Sequence, residues 1–124
     1  MRKNISGGSP YEPIIGFSRA VRTGSYVHVS GTGPVGADTA DAATQTKRIF
    51  EIIGTALEQA NSSLEQVVRT RVYFTHTEDW EAIAAVHGEL FGTIRPAATM
   101  VVVAGLLNPS WRVEIEADAA LDPV

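Results

Sequence analysis

The stretch RPAATMVVVAGLLNPSWRVEIEADA, residues 95–119, decides how this chain folds. Residues 99–104 are apolar and rich in β-branched side chains, which predicts a strand. Residues 105–110 contain Gly, Asn and Pro, which favour a reversal of the chain. Residues 111–119 then alternate between two kinds of side chain, and this pattern predicts a second strand.

The predicted last strand has one apolar face and one charged face. Its apolar side chains share one side and are Val113, Ile115, Ala117 and Ala119. Its charged side chains alternate with them and are Arg112, Glu114, Glu116 and Asp118. The charged face of such a strand normally lies in water. Since Trp111 and Met100 rim this face, the alternative that it meets another subunit stays open.

The composition is typical of one globular domain. The chain has 124 residues, of which 44% are apolar and 19% charged, and it is long enough to bury a core without disulfides or metals. The net charge is −4, so no overall positive field attracts nucleic acid or an anionic membrane. The chain has no cysteine, which excludes disulfides, thiolate metal sites and thiol nucleophiles.

Signals for export, membrane insertion and cofactor binding are weak in this sequence. The first residues, MRKNISGGSPYEP, have two cations but no apolar run after them, and no stretch approaches the roughly 18 apolar residues of a membrane span. The spacing of His28, His76 and His87 does not match a metal site, and GTGPVGA lacks the lysine of a phosphate-binding loop. We therefore expect a soluble cytoplasmic protein without a metal or cofactor.

The rest of the chain predicts strands and helices in the order hairpin, helix, strand, helix. Their predicted ranges are 14–22 and 25–32, 40–60, 67–75, and 79–91. Residues 1–13 are rich in Gly, Ser and Pro and are expected to form a loosely held arm. The resulting pattern, ββαβαββ, predicts an α+β sandwich with both helices packed on one face of a sheet.

Periodicity also predicts which side chains face the core. On the third strand these are Val68, Val72 and Phe74. On the second helix they are Trp80, Ile83, Ala84, His87, Leu90 and Phe91. The opposite face of the sheet is expected to carry Ser30, Arg69, Arg71, Met100, Glu114 and Glu116.

Several segments together resemble one known family. IGFSRAV, YVHVSGTGPV, HGELFG, PAATM and VEIEADA are similar to segments of the Rid (reactive intermediate deaminase, YjgF-like) family, in which a Pro-Ala-Arg-Ser type motif precedes a VEIEA-type strand. The resemblance covers almost the whole chain. It implies a chorismate mutase-like fold and a homotrimer with a small-molecule pocket at each subunit junction.

The resemblance also implies roles for two residues of these motifs. In the deaminating members of the family, an arginine of the first motif binds the substrate carboxylate, and a glutamate of the second helps to position the hydrolytic water. The arginine position is Ala98 in this chain, whereas the glutamate matches Glu114. Without a guanidinium at position 98 a carboxylate loses its bidentate partner, so simple 2-imino acids are expected to be poor substrates.

Other pocket positions follow from the same resemblance. Ser30-Gly31 matches a segment that lines the cleft, and Phe17 stands where deaminating relatives often have a tyrosine. Met100 is expected to add a soft apolar wall. Arg71 would replace the missing arginine if its strand borders the cleft, with Arg19, Arg22, Arg95 and Arg112 as further options.

Each of these residues also has a purely structural interpretation. Glu114 could be an ordinary ion-paired glutamate, Ser30-Gly31 a turn, and Phe17 a core aromatic. Arg71 could pair with carboxylates across the sheet.

The function predicted from the resemblance is hydrolysis of a small reactive imine or enamine without a cofactor, with Glu114 as the catalytic residue. The ligand would have imine, enamine or carbonyl character. The alternative is a non-enzymatic trimer that binds a metabolite or docks on another protein. A ribonuclease or translation inhibitor is disfavoured because the chain is acidic and lacks a basic stripe with stacking aromatics.

Overall fold

A computed structural model describes residues 1–121 of the chain. Within this range the chain forms six strands, two α-helices and three short helical turns. The strands are β1 Arg2–Ile5, β2 Ala20–Thr23, β3 Tyr26–Thr32, β4 Val67–Phe74, β5 Ala97–Val102 and β6 Val113–Ala120. The α-helices are α1 Ala42–Gln59 and α2 Trp80–Phe91, and the turns are Glu12–Gly16, Leu64–Gln66 and Thr77–Asp79.

The strands form one sheet in the order β1-β2-β3-β6-β4-β5. All neighbours are antiparallel except β4 and β5, which are parallel and joined by α2. Both helices pack on the same side of this sheet, which we call the helix face; the opposite side is the open face. The predicted α+β architecture is therefore confirmed. The two strands of residues 95–119 are not a hairpin, because β4 lies between them.

The alternation of β6 directs the packing of the core. Its apolar side chains point to the helix face, and all four are at most 1% exposed: Val113, Ile115, Ala117 and Ala119. They pack in one cluster with Ile49, Ile53 and Leu57 of α1. Full burial of an aliphatic side chain of this size contributes about 1.5 to 3 kcal/mol. The charged side chains of β6 consequently lie on the open face.

The beginning of the chain differs from the prediction of a loose arm. Arg2–Ile5 pairs with β2 as an antiparallel strand, because the edge of β2 offers backbone groups that need partners. Residues 14–19 are not part of a strand, and Glu12–Gly16 forms a helical turn with Pro13 near its start. The turn ends at Gly16, whose φ of 87° favours glycine.

For two residues, the predicted face of the sheet was wrong. Val68 is 48% exposed, because a register shift between Val67 and Arg69 gives its core position to Val67. Met100 pairs in parallel register with Val72 and so shares the helix face, where it packs against the core. Its predicted place on the open face is therefore incorrect.

The buried stripe of α2 is narrower than its pattern predicted. Ile83 and Phe91 are buried as expected, but Trp80 and Leu90 are 50% and 39% exposed. Val86 is buried in their place, since α2 packs on α1 as well as on the sheet.

A buried glutamine ties the start of β6 to the rest of the fold. Gln45 Nε2 donates to the carbonyl oxygens of Asp38, Ala40 and Ser110 at 3.0 to 3.1 Å, and its Oε1 accepts from Arg112 N at 2.8 Å. All of these backbone groups belong to loops that no strand pairing satisfies. Gln45 thus fixes the position from which β6 carries its charged side chains onto the open face.

Candidate functional site

Glu114 lies on the open face against the backbone of Gly31. The register between β3 and β6 shifts between Val29 and Thr32, which leaves Ser30 and Gly31 in a bulge. A Cβ on residue 31 would collide with Glu114 Oε1. Because Gly31 has no side chain, there is room for this carboxylate next to the segment that was predicted to line the cleft.

The surroundings of Glu114 favour its protonated form. Burial raises the pKa of its carboxyl above the ordinary value of 4.5, the Arg19 guanidinium acts in the opposite direction, and Glu116 raises the pKa further. A carboxyl shifted in this direction can exchange a proton nearer to neutral pH than an ordinary glutamate. This property suits a group that acts on water.

Arg19 completes this group of residues. Its Nη1 donates to the carbonyl oxygen of Gly31 at 2.7 Å and to Thr32 Oγ1 at 2.9 Å. Its guanidinium carbon lies 5.4 Å from the centre of the Phe17 ring, a cation–π geometry. Of the arginines that the sequence left as options, Arg19 is the one whose charge acts on Glu114.

Phe17 and Ser30 line an open cleft of about 430 Å³. Arg2 and Asn4 of β1, the strand that the sequence did not predict, also line it. Ser30 Oγ donates to the carbonyl oxygen of Ser18, another lining residue, at 2.7 Å, which ties the segment before β2 to β3.

Glu12 also borders the cleft, and the sequence analysis missed it. Its Oε2 accepts from the backbone N–H groups of Gly7 and Ser9, at 2.9 and 3.1 Å. Burial alone would raise the pKa of this carboxyl, but those two hydrogen bonds lower it. The Ser-x-x-Glu spacing of residues 9–12 is the capping-box signal that would have identified this contact.

Arg71 lies on the same face but is held by carboxylates. Its Nη1 is 3.1 Å from Asp118 Oδ2 and 3.4 Å from Glu116 Oε1. Tyr73 donates to Glu116 Oε1 at 3.0 Å, and His28 Nδ1 lies 2.7 Å from Asp118 Oδ1. Arg71 therefore makes the cross-strand pairing that its structural interpretation required. We call these five side chains the Arg71 network.

Ala98 and Met100 lie on the other side of the sheet. Ala98 pairs in parallel register with Thr70, whose side chain is buried on the helix face and whose Oγ1 is 2.8 Å from His87 Nε2. Burial lowers the pKa of His87, which favours its neutral form. One chain consequently does not bring Ala98 and Met100 together with Glu114.

The family is identified by comparison with known proteins. The model of the family described as Endoribonuclease L-PSP matches residues 8–121 of this chain. The chain belongs to the Rid (YjgF-like) family. The crystal structure of Rv2704 from Mycobacterium tuberculosis, a member of the YjgF/YER057c/UK114 family, has a TM-score of 0.92 and 45% identity to it, over 98% of this chain and 100% of that one.

Two relatives in sequence have similar lengths. An uncharacterised protein of Streptomyces coelicolor is 36% identical over 121 residues, which are 94% of this chain and 90% of the relative. The 3-aminoacrylate deaminase RutC of Acinetobacter baylyi is 33% identical over 113 residues, 87% of this chain and 88% of the relative. This Rid-family chain thus matches its relatives over nearly their full length.

Two features are absent from the described part of this Rid-family chain, a metal-binding cluster and a membrane-spanning helix. Among residues 1–121, no three acidic or histidine side chains lie close enough together to hold a metal ion. Over the same range, neither helix has the length and apolar character that crossing a membrane requires.

Proposed function

We propose that this Rid-family protein hydrolyses a small reactive imine or enamine, without a cofactor, in pockets formed between the subunits of a homotrimer. The observation that carries the proposal is Glu114, a half-buried carboxyl with a raised pKa that is held over Gly31 beside a cation. The deaminase activity in the name of the Acinetobacter baylyi relative supports the same class of reaction.

The division of the site residues supports a pocket between subunits. Glu114 lies against Gly31 on the open face of one chain, and Phe17 and the neighbouring Ser30 line the cleft of the same chain. Ala98 and Met100 belong to the helix face at the β5 edge. A pocket that contains both groups takes one group from each of two chains, and closed cyclic symmetry then repeats the pocket at every junction.

In the proposed reaction Glu114 acts on water. It accepts a proton from the water as the water oxygen bonds to the imine carbon, and the proton then passes to the nitrogen. This gives a carbinolamine. Its hydroxyl proton passes to the nitrogen, through Glu114, as the carbon–nitrogen bond breaks, so that ammonia leaves and a carbonyl remains. An enamine reaches the same path after protonation at carbon gives the imine. The Ser30-Gly31 main chain would hold the polar end of the substrate.

The proposed specificity follows from Ala98. A charge-assisted bidentate grip contributes about 2 to 4 kcal/mol, which corresponds to roughly 30- to 1000-fold in kcat/KM. We therefore propose that a bulkier or less acidic imine is preferred to a simple 2-imino acid. Phe17, which lacks the hydroxyl of a tyrosine, contributes an apolar ring to the cleft. Met100 would contribute from the neighbouring chain.

The decisive experiment measures imine hydrolysis by purified protein. An amino-acid oxidase generates a 2-imino acid, and release of keto acid is followed beside turnover of a neutral imine. We expect faster turnover of the neutral imine and loss of activity in Glu114→Gln. The matched variant Ala98→Arg should raise kcat/KM for the 2-imino acid by about 30- to 1000-fold and leave the neutral imine unchanged. Fast turnover of the 2-imino acid by the unaltered protein would contradict the specificity argument.

The trimer has a separate test. Light scattering at micromolar concentration should give about three times the 13.3 kDa mass of the chain. A stable monomer would contradict the mechanism, because Ala98 and Glu114 would then never share a pocket.

A second candidate is a trimer that binds a metabolite or docks on another protein without catalysis. Ala98 and Phe17 favour it, because each lacks a polar group that the deaminating relatives use. This candidate predicts no turnover of either imine together with ligand-induced stabilisation of the trimer. A ribonuclease is disfavoured, since the open face carries Glu114, Glu116 and Asp118 and the net charge is −4. The cytoplasmic location and the lack of a cofactor stay predictions.

A further inference from the structure

Arg19 and Glu114 both contact Gly31, one through a hydrogen bond and the other through close packing. Arg19 Nη1 binds the carbonyl oxygens of Gly31 at 2.7 Å and Ser30 at 3.5 Å, and it also binds Thr32 Oγ1. These bonds hold the bulge of β3 whose missing Cβ leaves the space that Glu114 Oε1 occupies. A change at Arg19 therefore reaches Glu114 through the backbone, without direct contact.

The charges around Glu114 give Arg19 a second effect. Glu116 is the next side chain on the same face of β6, and its negative charge disfavours the ionised form of Glu114. Tyr73 lies opposite Glu114 in the register between β4 and β6. Arg71 is the nearby cation on β4, but Asp118 and Glu116 already neutralise it. Within residues 1–121, Arg19 is not within 4 Å of any carboxylate oxygen, because its bonds go to carbonyl and hydroxyl oxygens. Its positive charge therefore acts on two carboxyls beyond that distance, Glu12 and Glu114. Glu12 already accepts from the backbone N–H groups of Gly7 and Ser9.

We propose that Arg19 is the positioning residue of this site: it holds the Ser30–Thr32 bulge that leaves space for Glu114 over Gly31, and its positive charge favours the ionised form of the Glu114 carboxyl. The catalytic meaning of this role rests on the proposed hydrolase function, but the physical coupling of the two residues does not. The Phe17 ring, stacked on the guanidinium, limits the directions in which Arg19 can turn.

The coupling is measured directly by NMR titration of Glu114 in protein labelled at the glutamate carboxyl carbons. The resonance of Glu114 is assigned by its loss in Glu114→Gln. In Arg19→Gln we expect the midpoint of this resonance to move to higher pH, because the opposing positive charge is removed. Arg19→Lys keeps the charge but loses the planar fork, so its midpoint should lie between those of the unaltered protein and Arg19→Gln.

The matched control is Arg22→Gln. Arg22 is on the same strand, but its guanidinium binds the carbonyl oxygens of Gly24 and Ala60. This variant should leave the Glu114 midpoint unchanged. A midpoint that is also unchanged, or lower, in Arg19→Gln would overturn the proposal.

A measurement on the unaltered chain covers the case in which Arg19→Gln does not fold. The side-chain nitrogen resonances of Arg19 should shift with the same midpoint as Glu114, and this shift should vanish in Glu114→Gln. Nitrogen resonances that do not respond to Glu114 would overturn the proposal as well.

Kinetics then separates the positioning role from the proposed hydrolase function. If an imine is turned over, the acid limb of kcat/KM should move to higher pH in Arg19→Gln, with a loss of about 3- to 10-fold on that limb and a KM close to normal. An unmoved limb with a raised KM for anionic imines alone would identify Arg19 as a substrate anion site and overturn the positioning role. Absence of turnover with an intact NMR coupling would refute the hydrolase and retain the coupling.

Discussion

The open face of this Rid-family chain carries two arginines in contrasting environments. Arg71 lies between Asp118 and Glu116, and its charge is neutralised within a network that crosses β3, β6 and β4. Arg19 lies against carbonyl oxygens, a hydroxyl and the Phe17 ring. An arginine that is paired with carboxylates holds strands together. The charge of an arginine that is bound by neutral groups is not neutralised, so it can still act on nearby carboxyls. The partners of an arginine, more than its residue type, therefore decide whether it joins strands or acts on a neighbouring carboxyl.

The strongest test of the comparison alters the Arg19 side alone. In Gly31→Ala the new Cβ collides with Glu114 Oε1, so the carboxylate must leave its place. We expect a loss of imine turnover of about 100-fold or more, because a misplaced catalytic group has costs of that order. The Arg71 network should remain, as seen in the His28 and Tyr73 resonances. Gly105→Ala is the control, since its Cβ would meet no atom within 4 Å. Equal losses in both variants would refute the explanation.

The next test concerns the charge of Glu114. Because the pKa of its carboxyl is raised in the folded state, the protein binds more protons than the unfolded chain above the ordinary pKa of 4.5. The free energy of unfolding should therefore fall as pH rises from about 4.5 through the folded pKa, and then remain lower. Urea unfolding at several pH values measures it. Glu114→Gln should lack this fall; a fall of equal size in the variant would assign it to another group.

A smaller effect is expected on the Arg71 side. Arg71→Gln leaves Glu116 and Asp118 beside each other without their shared cation. Partly exposed pairs of this kind contribute about 0.2 to 1 kcal/mol each, so we expect a loss of stability of about 1 kcal/mol and little change in the Glu114 titration. Chemical unfolding and carboxyl NMR measure the two quantities. A large shift of the Glu114 midpoint in this variant would show that Arg71 also acts on Glu114, and would contradict the distinction between the two arginines.

The smallest effect is expected at the far end of the network. His28→Asn keeps a side-chain donor beside Asp118 but removes the imidazole ring. Since the His28 side chain is largely exposed, the stability at neutral pH should change by less than about 0.5 kcal/mol. Thermal unfolding detects this, and a substantially larger loss would make His28 a main support of the network.

Residues 95–119 and the two amphipathic helices were predictable because their signals are local. The alternation of β6 fixes which side chains meet α1, and Asn61, with φ of 60°, ends the helix region as its left-handed preference predicts. The same alternation assigned Glu114 to the charged face. Local repeats of this kind depend on backbone geometry alone, so a single sequence is enough to read them.

The misplaced features depend on contacts between distant parts of the chain. β1 became a strand because β2 offered it an edge, and Val68 lost its core position to a bulge. Met100 was misplaced because its facing follows from the parallel register with Val72, which the composition of β5 does not reveal. Short strands and their registers are fixed by partners, and partners are not adjacent in sequence.

The α+β class and the apolar face of β6 were predictable from the pattern of residues, and the family resemblance pointed to Glu114. The folded chain was needed to show that Arg19, and not Arg71, acts on that carboxylate, and that Ala98 lies on the opposite face. The physical reason is that alternation sets the direction of a side chain within its own strand, whereas a bulge such as that at Ser30-Gly31 and the order of strands set which side chains meet.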